Sequence, residues 1–299
     1  MEQSKILLDK RKKFVPNAIG IFNPSTAARA SGAIILDADG REMIDFAGGI
    51  GVVNAGHCPP KVVEAIKKQA ATLIHCSFNV ATYDIYLQLA EKLAKLLPHG
   101  EHTKVMITNS GAESVENAIK IARQATGRKA IICYESAFHG RTMMAMTLTS
   151  KVGYKIGCGP FAPEVYRIPF PDRYRFGGGM SLDDFSDMHL RELENFFHKQ
   201  VAAEEVAAII IEPVQGEGGF NVVPKKYLQG LRNLCDKYGI MLILDEVQSG
   251  FGRTGKWAAY EHYGVTPDIS TWAKSMGSGM PIGCVIGKAH ILDSCKPST

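Results

Sequence analysis

Short, continuously apolar runs alternate with amphipathic stretches along most of this chain. Val105-Met-Ile-Thr108, Ala130–Tyr134, Val206–Ile211 and Ile240–Leu244 are too short for buried helices and are dominated by aliphatic residues. They read as strands covered on both faces. Between them, Glu113–Ala125, Leu182–Gln200 and Pro224–Tyr238 carry the helical repeat, with Leu193 and Phe197 sharing one face of the second. A further apolar-leaning segment, Asp268-Ile-Ser-Thr-Trp272, reads as one more strand. Apolar strands separated by helices predict an α/β fold with a mostly parallel sheet flanked by helices.

The first hundred residues follow a different pattern. Gly32–Asp37 and Glu42–Phe46 flank Asp39-Gly40, a dipeptide suited to a tight hairpin turn, so two antiparallel strands are expected. Lys61–Ala71 reads as a helix after Pro59-Pro60. Ile85, Leu89, Leu93, Leu96 and Leu97 form a helical stripe that Pro98 and Gly100 stop. Gly153–Met180, rich in Gly and Pro, is expected to be a long loop.

Composition narrows the class. An apolar fraction of 45% with 21% charged residues is ordinary for a globular protein, and 299 residues carry a prior of roughly two domains. The net charge of +4 is small, and the one dense basic run, Lys10–Lys13, reads as a solvated helix face rather than a nucleic-acid patch. Seven scattered cysteines, none in a Cys-x-x-Cys pair, fit free thiols of a reducing cytoplasm better than disulfides or a zinc site. Met1–Lys5 opens no signal peptide, and no apolar stretch approaches the ~20 residues of a membrane helix. The expectation is a cytoplasmic protein with no metal, nucleic-acid or membrane partner.

The chemistry-bearing residues follow the predicted strands. Asn109-Ser-Gly-Ala-Glu113 lies between a strand and a helix, where free N–H groups and the helix dipole suit a phosphate. Read alone, Ser110 is an N-cap and Glu113 completes a capping box. Phe138 and Arg141, after the next strand, have the chemistry to stack on a flat ring and to grip a carboxylate. Read alone, they are a core aromatic and a surface cation. Glu212-Pro-Val-Gln-Gly-Glu-Gly-Gly219 follows a strand where open α/β sheets bind ligands, and is equally a Gly-rich connection. Asp245 ends an apolar strand, and Lys274 follows the next one. A lysine for covalent attachment and an acid for the pyridinium nitrogen are what pyridoxal phosphate requires. The convergence of a phosphate turn, an aromatic platform, an acid and a lysine on strand ends favours that cofactor. Gly250-Phe-Gly-Arg-Thr-Gly255-Lys256 imitates part of a nucleotide-binding P-loop, but Trp257 stands where Ser or Thr must reach Mg²⁺.

At this point the sequence resembles the class III pyridoxal-phosphate aminotransferases, and within them the 4-aminobutyrate group. The resemblance rests on Asp45-Phe-Ala-Gly-Gly-Ile50, Asn54–His57, Asn109–Glu113, Phe138–Thr142, Ile211–Gly219, Leu244–Gly255 and Ala273-Lys-Ser275. It spans about Phe14 to about Asp293. The resemblance implies a fold-type I transferase and pyridoxal 5'-phosphate as cofactor. Gly111 and Ala112 would bind its phosphate, Phe138 would stack on its ring, and His139 would join the cofactor contacts. Asp245 would pair with the ring nitrogen, Val247 and Gln248 would pack the ring and reach its phenolic oxygen, and Lys274 would hold it covalently. Ile50 and Arg141 would meet substrate, with Arg141 on the distal carboxylate. Glu212 would be the gate acid that pairs with an arginine.

The resemblance implies transamination of an omega-amino acid, 4-aminobutyrate foremost, with 2-oxoglutarate as acceptor, in a homodimer. Acetylornithine or ornithine aminotransferases, racemases and decarboxylases of the same group share these motifs, and an inactive dimerisation or binding fragment is the contrasting alternative. Family members continue past the lysine into a C-terminal domain, including a Gly-Gly-Thr segment for which Thr299 is a poor substitute. The expectation is therefore a fragment: residues 1–57 from an incomplete small domain, residues 58–299 the large cofactor domain, and the C-terminal domain absent.

Overall fold

The computed structural model describes residues 2–297, and these fall into two compact units, Met1–Thr82 and Tyr83–Thr299. The first holds helix α1 (Glu2–Phe14) and a three-stranded antiparallel sheet of β1 (Arg29–Ser31), β2 (Ile34–Leu36) and β3 (Glu42–Ile44). The expected hairpin turn is present. Asp37 shapes it by accepting from the Asp39 and Arg41 N–H groups at 2.9 and 2.8 Å, and Gly40 supplies the left-handed φ of 84°. A single turn, α2 (Gly48–Gly51), and helix α3 (Pro60–Ala70) follow. All four residues of α2 have positive φ, and Ile50, at φ 62° and ψ 53°, is a β-branched residue in a conformation that side chains of its type avoid. Asp45 braces the turn by accepting from the Ala47 and Gly48 N–H groups, both at 2.9 Å, and its other oxygen meets His57 at 2.7 Å.

The second unit is built on a seven-stranded sheet. In chain order its elements are α4 (Asp84–Leu96), β4 (Thr103–Thr108), α5 (Gly111–Thr126), β5 (Ala130–Tyr134), α6 (Met143–Leu148), β6 (Val165–Ile168), α7 (Arg173–Phe176), α8 (Leu182–Lys199) and β7 (Val206–Ile211). They continue with the small ribbon β8 (Val214–Gln215) and β9 (Asn221–Val222), then α9 (Lys225–Tyr238), β10 (Met241–Asp245), β11 (Ile269–Trp272), β12 (Gly283–Lys288) and α10 (Ala289–Leu292). The sheet order is β4-β12-β11-β10-β7-β5-β6. Only β12 is antiparallel to its neighbours, so the other six strands share one direction. Their carboxyl ends therefore form one rim, on which Asn109, Glu135, Glu212, Asp245 and Ala273 lie.

Strand periodicity sorts side chains into two cores, one on each face. Ile132, Tyr134, Ile209, Ile211, Leu242 and Leu244 pack with Leu193 and Phe197 of α8 and Leu228 and Leu231 of α9. Ile131, Cys133, Ile210 and Ile243 pack with Val115, Ile119 and Ala122 of α5 and Met144 and Leu148 of α6. Coverage on both faces explains why these strands show continuous rather than alternating hydrophobicity.

Two features depart from the sequence reading. Gly153–Met180 is not one loop. It contains edge strand β6, paired in parallel with β5 from Ile131↔Val165 to Tyr134↔Ile168, and the short helix α7. Its Gly and Pro residues bound these pieces rather than dissolve them. Strand β12 escaped notice because Gly283 and Gly287 interrupt its apolar run. Both glycines serve close packing: a Cβ at 283 would lie 2.7 Å from Ser114 Oγ, and one at 287 would lie 2.4 Å from Leu292 Cδ1. Among the described residues, no helix is long and apolar enough to cross a membrane, and no group of three or more His, Cys, Asp or Glu is placed to hold a metal ion. Thr299 lies outside the described residues.

Because Ile132 is fully buried in the central sheet, Ile132→Ala leaves a cavity among close-packed neighbours. The expected loss is about 2–5 kcal/mol in denaturant-induced unfolding. Ile19→Ala, at an exposed site, is expected to change stability by less than about 0.5 kcal/mol.

Candidate active site

Five segments converge on the rim. The first is the start of α5. Ser110 caps the helix, its Oγ accepting from Glu113 N at 3.2 Å, and Ser114 N bonds Ser110 O at 3.0 Å. Glu113 reaches back to Asn109 N at 2.8 Å. The capping reading is thus satisfied, with the acid's bond shifted one residue outward from the N-cap. These bonds leave the N–H groups of Gly111 and Ala112 ahead of the first intrahelical acceptor, which is the arrangement that binds an anion. Gly111 has no room for a side chain: a Cβ would sit 2.9 and 3.0 Å from the two Val247 methyls. The turn before α5 and the turn after β10 are therefore in contact.

The second segment follows β5. His139 is buried, its N–H donates to Thr149 Oγ1 at 3.0 Å, and its Nδ1 lies 2.7 Å from Asp245 Oδ2. His139 Nε2 is also buried and has no hydrogen-bond partner. Gly140, at φ 131°, brings this turn against α5 so closely that a Cβ would lie 2.8 Å from the Cβ of Ala112. Phe138 is half-buried, with its ring edge-on to Tyr154 at 5.5 Å between centroids. Arg141 is exposed, and its guanidinium carbon lies 5.9 Å from the centre of the same Tyr154 ring.

The remaining three segments supply the acids and the lysine. Asp245 ends β10 and is 4% exposed. Besides His139, it accepts from Thr271 Oγ1 at 3.0 Å and from Val247 N at 3.1 Å. Thr271 stands opposite Asp245 in the β10–β11 register. Glu212, equally buried, accepts from Phe138 N at 2.9 Å and Gly216 N at 3.1 Å. Burial pushes its carboxyl up to about 7, and the nearby Asp245 charge adds to this. Glu246, next to Asp245, is also pushed up to about 7 by burial while it binds Ser249 Oγ at 2.6 Å and Tyr260 N at 2.9 Å. Gln248 packs its side chain onto Gly216, where a Cβ would overlap it. Lys274 opens a short 3₁₀ turn at φ 47°. Burial, with a contribution from Arg253, lowers its ammonium pKa, and the fields of Asp245, Glu212 and Glu217 oppose the shift.

The structure thus brings Gly111, Ala112, Phe138, His139, Glu212, Asp245, Val247, Gln248 and Lys274 to one rim, with Arg141 exposed beside Phe138 over Tyr154. Ile50 belongs to the N-terminal unit, in the left-handed turn. Sequence reasoning missed Thr271, whose signal was its strand-pair position opposite Asp245, and Thr149, whose signal lay only in the folded turn. The P-loop imitation is a tight loop closed on itself, with Phe251 N bonded to Trp257 O and Gly252 N to Lys256 O.

The donor set fits pyridoxal phosphate. Two N–H groups at the start of α5 lie ahead of the first intrahelical acceptor, a buried acid has three hydrogen-bond partners, and a lysine with a lowered pKa lies in that acid's field. The raised carboxyls also set a pH dependence. Glu212 and Glu246 titrate at an ordinary 4.5 when unfolded and at about 7 when folded, so the native state holds extra protons between those values. Their contribution to stability is full below pH 4.5 and is lost as pH rises to about 7. For one such carboxyl the loss is on the order of 2–3 kcal/mol. Glu246→Gln, whose amide can still meet Ser249 and Tyr260, is expected to flatten part of this decline. Unfolding free energies at pH 5, 6, 7 and 8 would test it, and an unchanged slope would count against it.

Residues 21–299 match the family described as Aminotransferase class-III. The chain is 48% identical to the probable 4-aminobutyrate aminotransferase of Bacillus subtilis, over 96% of this chain and 66% of the relative. It is 47% identical to the 5-aminovalerate aminotransferase of Pseudomonas aeruginosa, over 97% of this chain and 67% of the relative. Its fold is similar to the taurine:2-oxoglutarate aminotransferase of Bifidobacterium kashiwanohense, solved with PLP and glutamate, at a TM-score of 0.90 and 31% identity, covering 97% of this chain and 66% of that one. The chain spans about two thirds of the length of these proteins. A mostly parallel sheet whose carboxyl rim gathers a phosphate turn, a buried acid and a lysine agrees with these matches, and the chain belongs to the pyridoxal-phosphate-dependent class III aminotransferase family.

Proposed function

We propose that this chain forms the cofactor-binding part of an aminotransferase that takes the amino group from an omega-amino acid, 4-aminobutyrate foremost, and passes it to 2-oxoglutarate. The observation that carries the reading is Lys274 with a lowered pKa in the field of Asp245 and Glu212, on the same rim as the uncommitted N–H groups of α5. Pyridoxal phosphate, when bound, supplies an electron sink that lets the carbon bearing the amine lose a proton.

The chain's own residues do the rest. Gly111 and Ala112 N–H groups and the α5 dipole hold the phosphate. Phe138 and Val247 flank the ring, and Gln248 reaches its phenolic oxygen. Asp245, oriented by His139, Thr271 and Val247 N, keeps a proton on the ring nitrogen. Lys274, its ammonium form disfavoured by burial, is available as an amine for covalent attachment and then as the base that moves the substrate proton. Arg141 grips the distal carboxylate, Ile50 contacts substrate, and Glu212 is the acid that pairs with a substrate-site arginine. The same reading carries a homodimer in the cytoplasm; seven free cysteines support a reducing compartment.

A second donor, 5-aminovalerate, is favoured by the similarity to the Pseudomonas aeruginosa enzyme. It is one methylene longer than 4-aminobutyrate, a difference that a pocket discriminates by about 10–200-fold at most. Visible absorption of the purified chain with added pyridoxal phosphate tests cofactor and lysine together. A band lost in Lys274→Ala and bleached by 4-aminobutyrate is expected. Bleaching by 5-aminovalerate or ornithine alone would reassign the donor, and no Lys274-dependent band in folded protein would overturn the reading. Gly111→Ala must displace Val247, an overpacking of about 1–3 kcal/mol. It is expected to weaken cofactor affinity about tenfold or more, measured by equilibrium titration.

A further inference from the structure

Helix α6 starts without its own cap. Its N-cap residue, Thr142, makes no capping bond to the helix. The role is taken by Glu116, one turn into α5. A single oxygen, Glu116 Oε1, accepts from Thr142 Oγ1 at 2.6 Å, Met144 N at 2.9 Å and Ala145 N at 3.2 Å. The three donors span the end of the turn that carries Phe138, His139 and Arg141. The acceptor belongs to the helix whose first N–H groups form the phosphate turn. The two turns are packed together at Gly140 and Ala112, where, among the described residues, no hydrogen bond joins them. The ring turn has separate anchors to the strand ends, through His139 to Asp245 and Phe138 N to Glu212. Glu116 is the polar tie between that turn and α5.

We propose that Glu116 is a positioning residue that sets the spacing between the phosphate-binding start of α5 and the ring-binding turn after β5. The inference rests on the pyridoxal-phosphate reading above. A ligand that touches both turns needs the correct spacing, and one that touches only one turn does not. Loss of the tie therefore weakens the intact cofactor more than either half of it. The pyridoxal half stays served because His139 and Phe138 remain anchored to Asp245 and Glu212. The phosphate half stays served because the α5 cap depends on Ser110 and Glu113, not on Glu116.

The test compares wild type, Glu116→Ala and Glu116→Gln, each titrated with pyridoxal phosphate, with pyridoxal and with inorganic phosphate by calorimetry. Glu116→Ala is expected to bind pyridoxal phosphate at least tenfold more weakly while its affinities for pyridoxal and for phosphate change by less than about twofold. Glu116→Gln is expected to restore most of the loss, because all three bonds go to one oxygen that an amide retains. Unchanged cofactor affinity in Glu116→Ala would overturn the proposal. So would a parallel loss of all three ligands, the mark of general destabilisation, or a failure of Glu116→Gln to recover affinity. If wild type itself does not bind pyridoxal phosphate, the cofactor reading falls and takes this inference with it, an outcome distinct from a defect confined to the variants.

Discussion

The bond from His139 to Asp245 joins the ends of β5 and β10 across the intervening strand β7. Glu212, at the end of that middle strand, binds the backbone of Phe138 in the same turn. Three neighbouring strands are thereby locked at their carboxyl ends by buried polar contacts. A buried carboxylate without partners would cost several kcal/mol, so the geometry of Asp245 is over-determined by its three hydrogen-bond partners rather than left to a rotamer preference. The acid's direction, and with it the position of any ring nitrogen it meets, follows from sheet order.

Charge at the rim is arranged by burial more than by pairing. Glu212 and Glu246 both rise to about 7 because their surroundings disfavour ionisation, while Lys274 falls for the same reason. Desolvation thus pushes both the acids and the base toward their neutral forms. Groups shifted toward their neutral forms and crowded on one rim mark a candidate catalytic site, whereas a structural ion pair shifts its members toward their charged forms. The contrast lies within this chain: Asp268, equally buried in the same sheet, is held by Arg232 and Lys288 at 2.8 and 2.6 Å, and its carboxyl pKa is lowered.

Small residues make the rim possible. Gly111 admits Val247, Gly140 admits Ala112, and Gly216 admits Gln248, so the loops after β4, β5, β7 and β10 meet closely. Each glycine is unremarkable in the sequence because its reason is a neighbour in another loop, 136 residues away for Gly111, 28 for Gly140 and 32 for Gly216. The same holds for Gly283, whose neighbour Ser114 is 169 residues away, while Gly287 packs against the nearby Leu292; together they break the apolar run of β12.

The strands β5, β7 and β10, the helices α8 and α9 and the N-terminal hairpin were legible because hydrophobic period and turn chemistry are local properties. Asp245 and Lys274 were legible because a polar residue at the end of an apolar strand is conspicuous wherever the strand lies. Strand order, the single reversed strand β12 and the small edge strand β6 were not, since each depends on which backbones pair. Neither was the company Asp245 keeps: His139 is 106 residues away and Thr271 is 26, and only register and crossover bring them within hydrogen-bond reach. Sequence determined which groups the chain carries and on which strand ends they stand. Tertiary structure decided which of them meet, because contact across a parallel sheet is set by strand order rather than by distance along the chain.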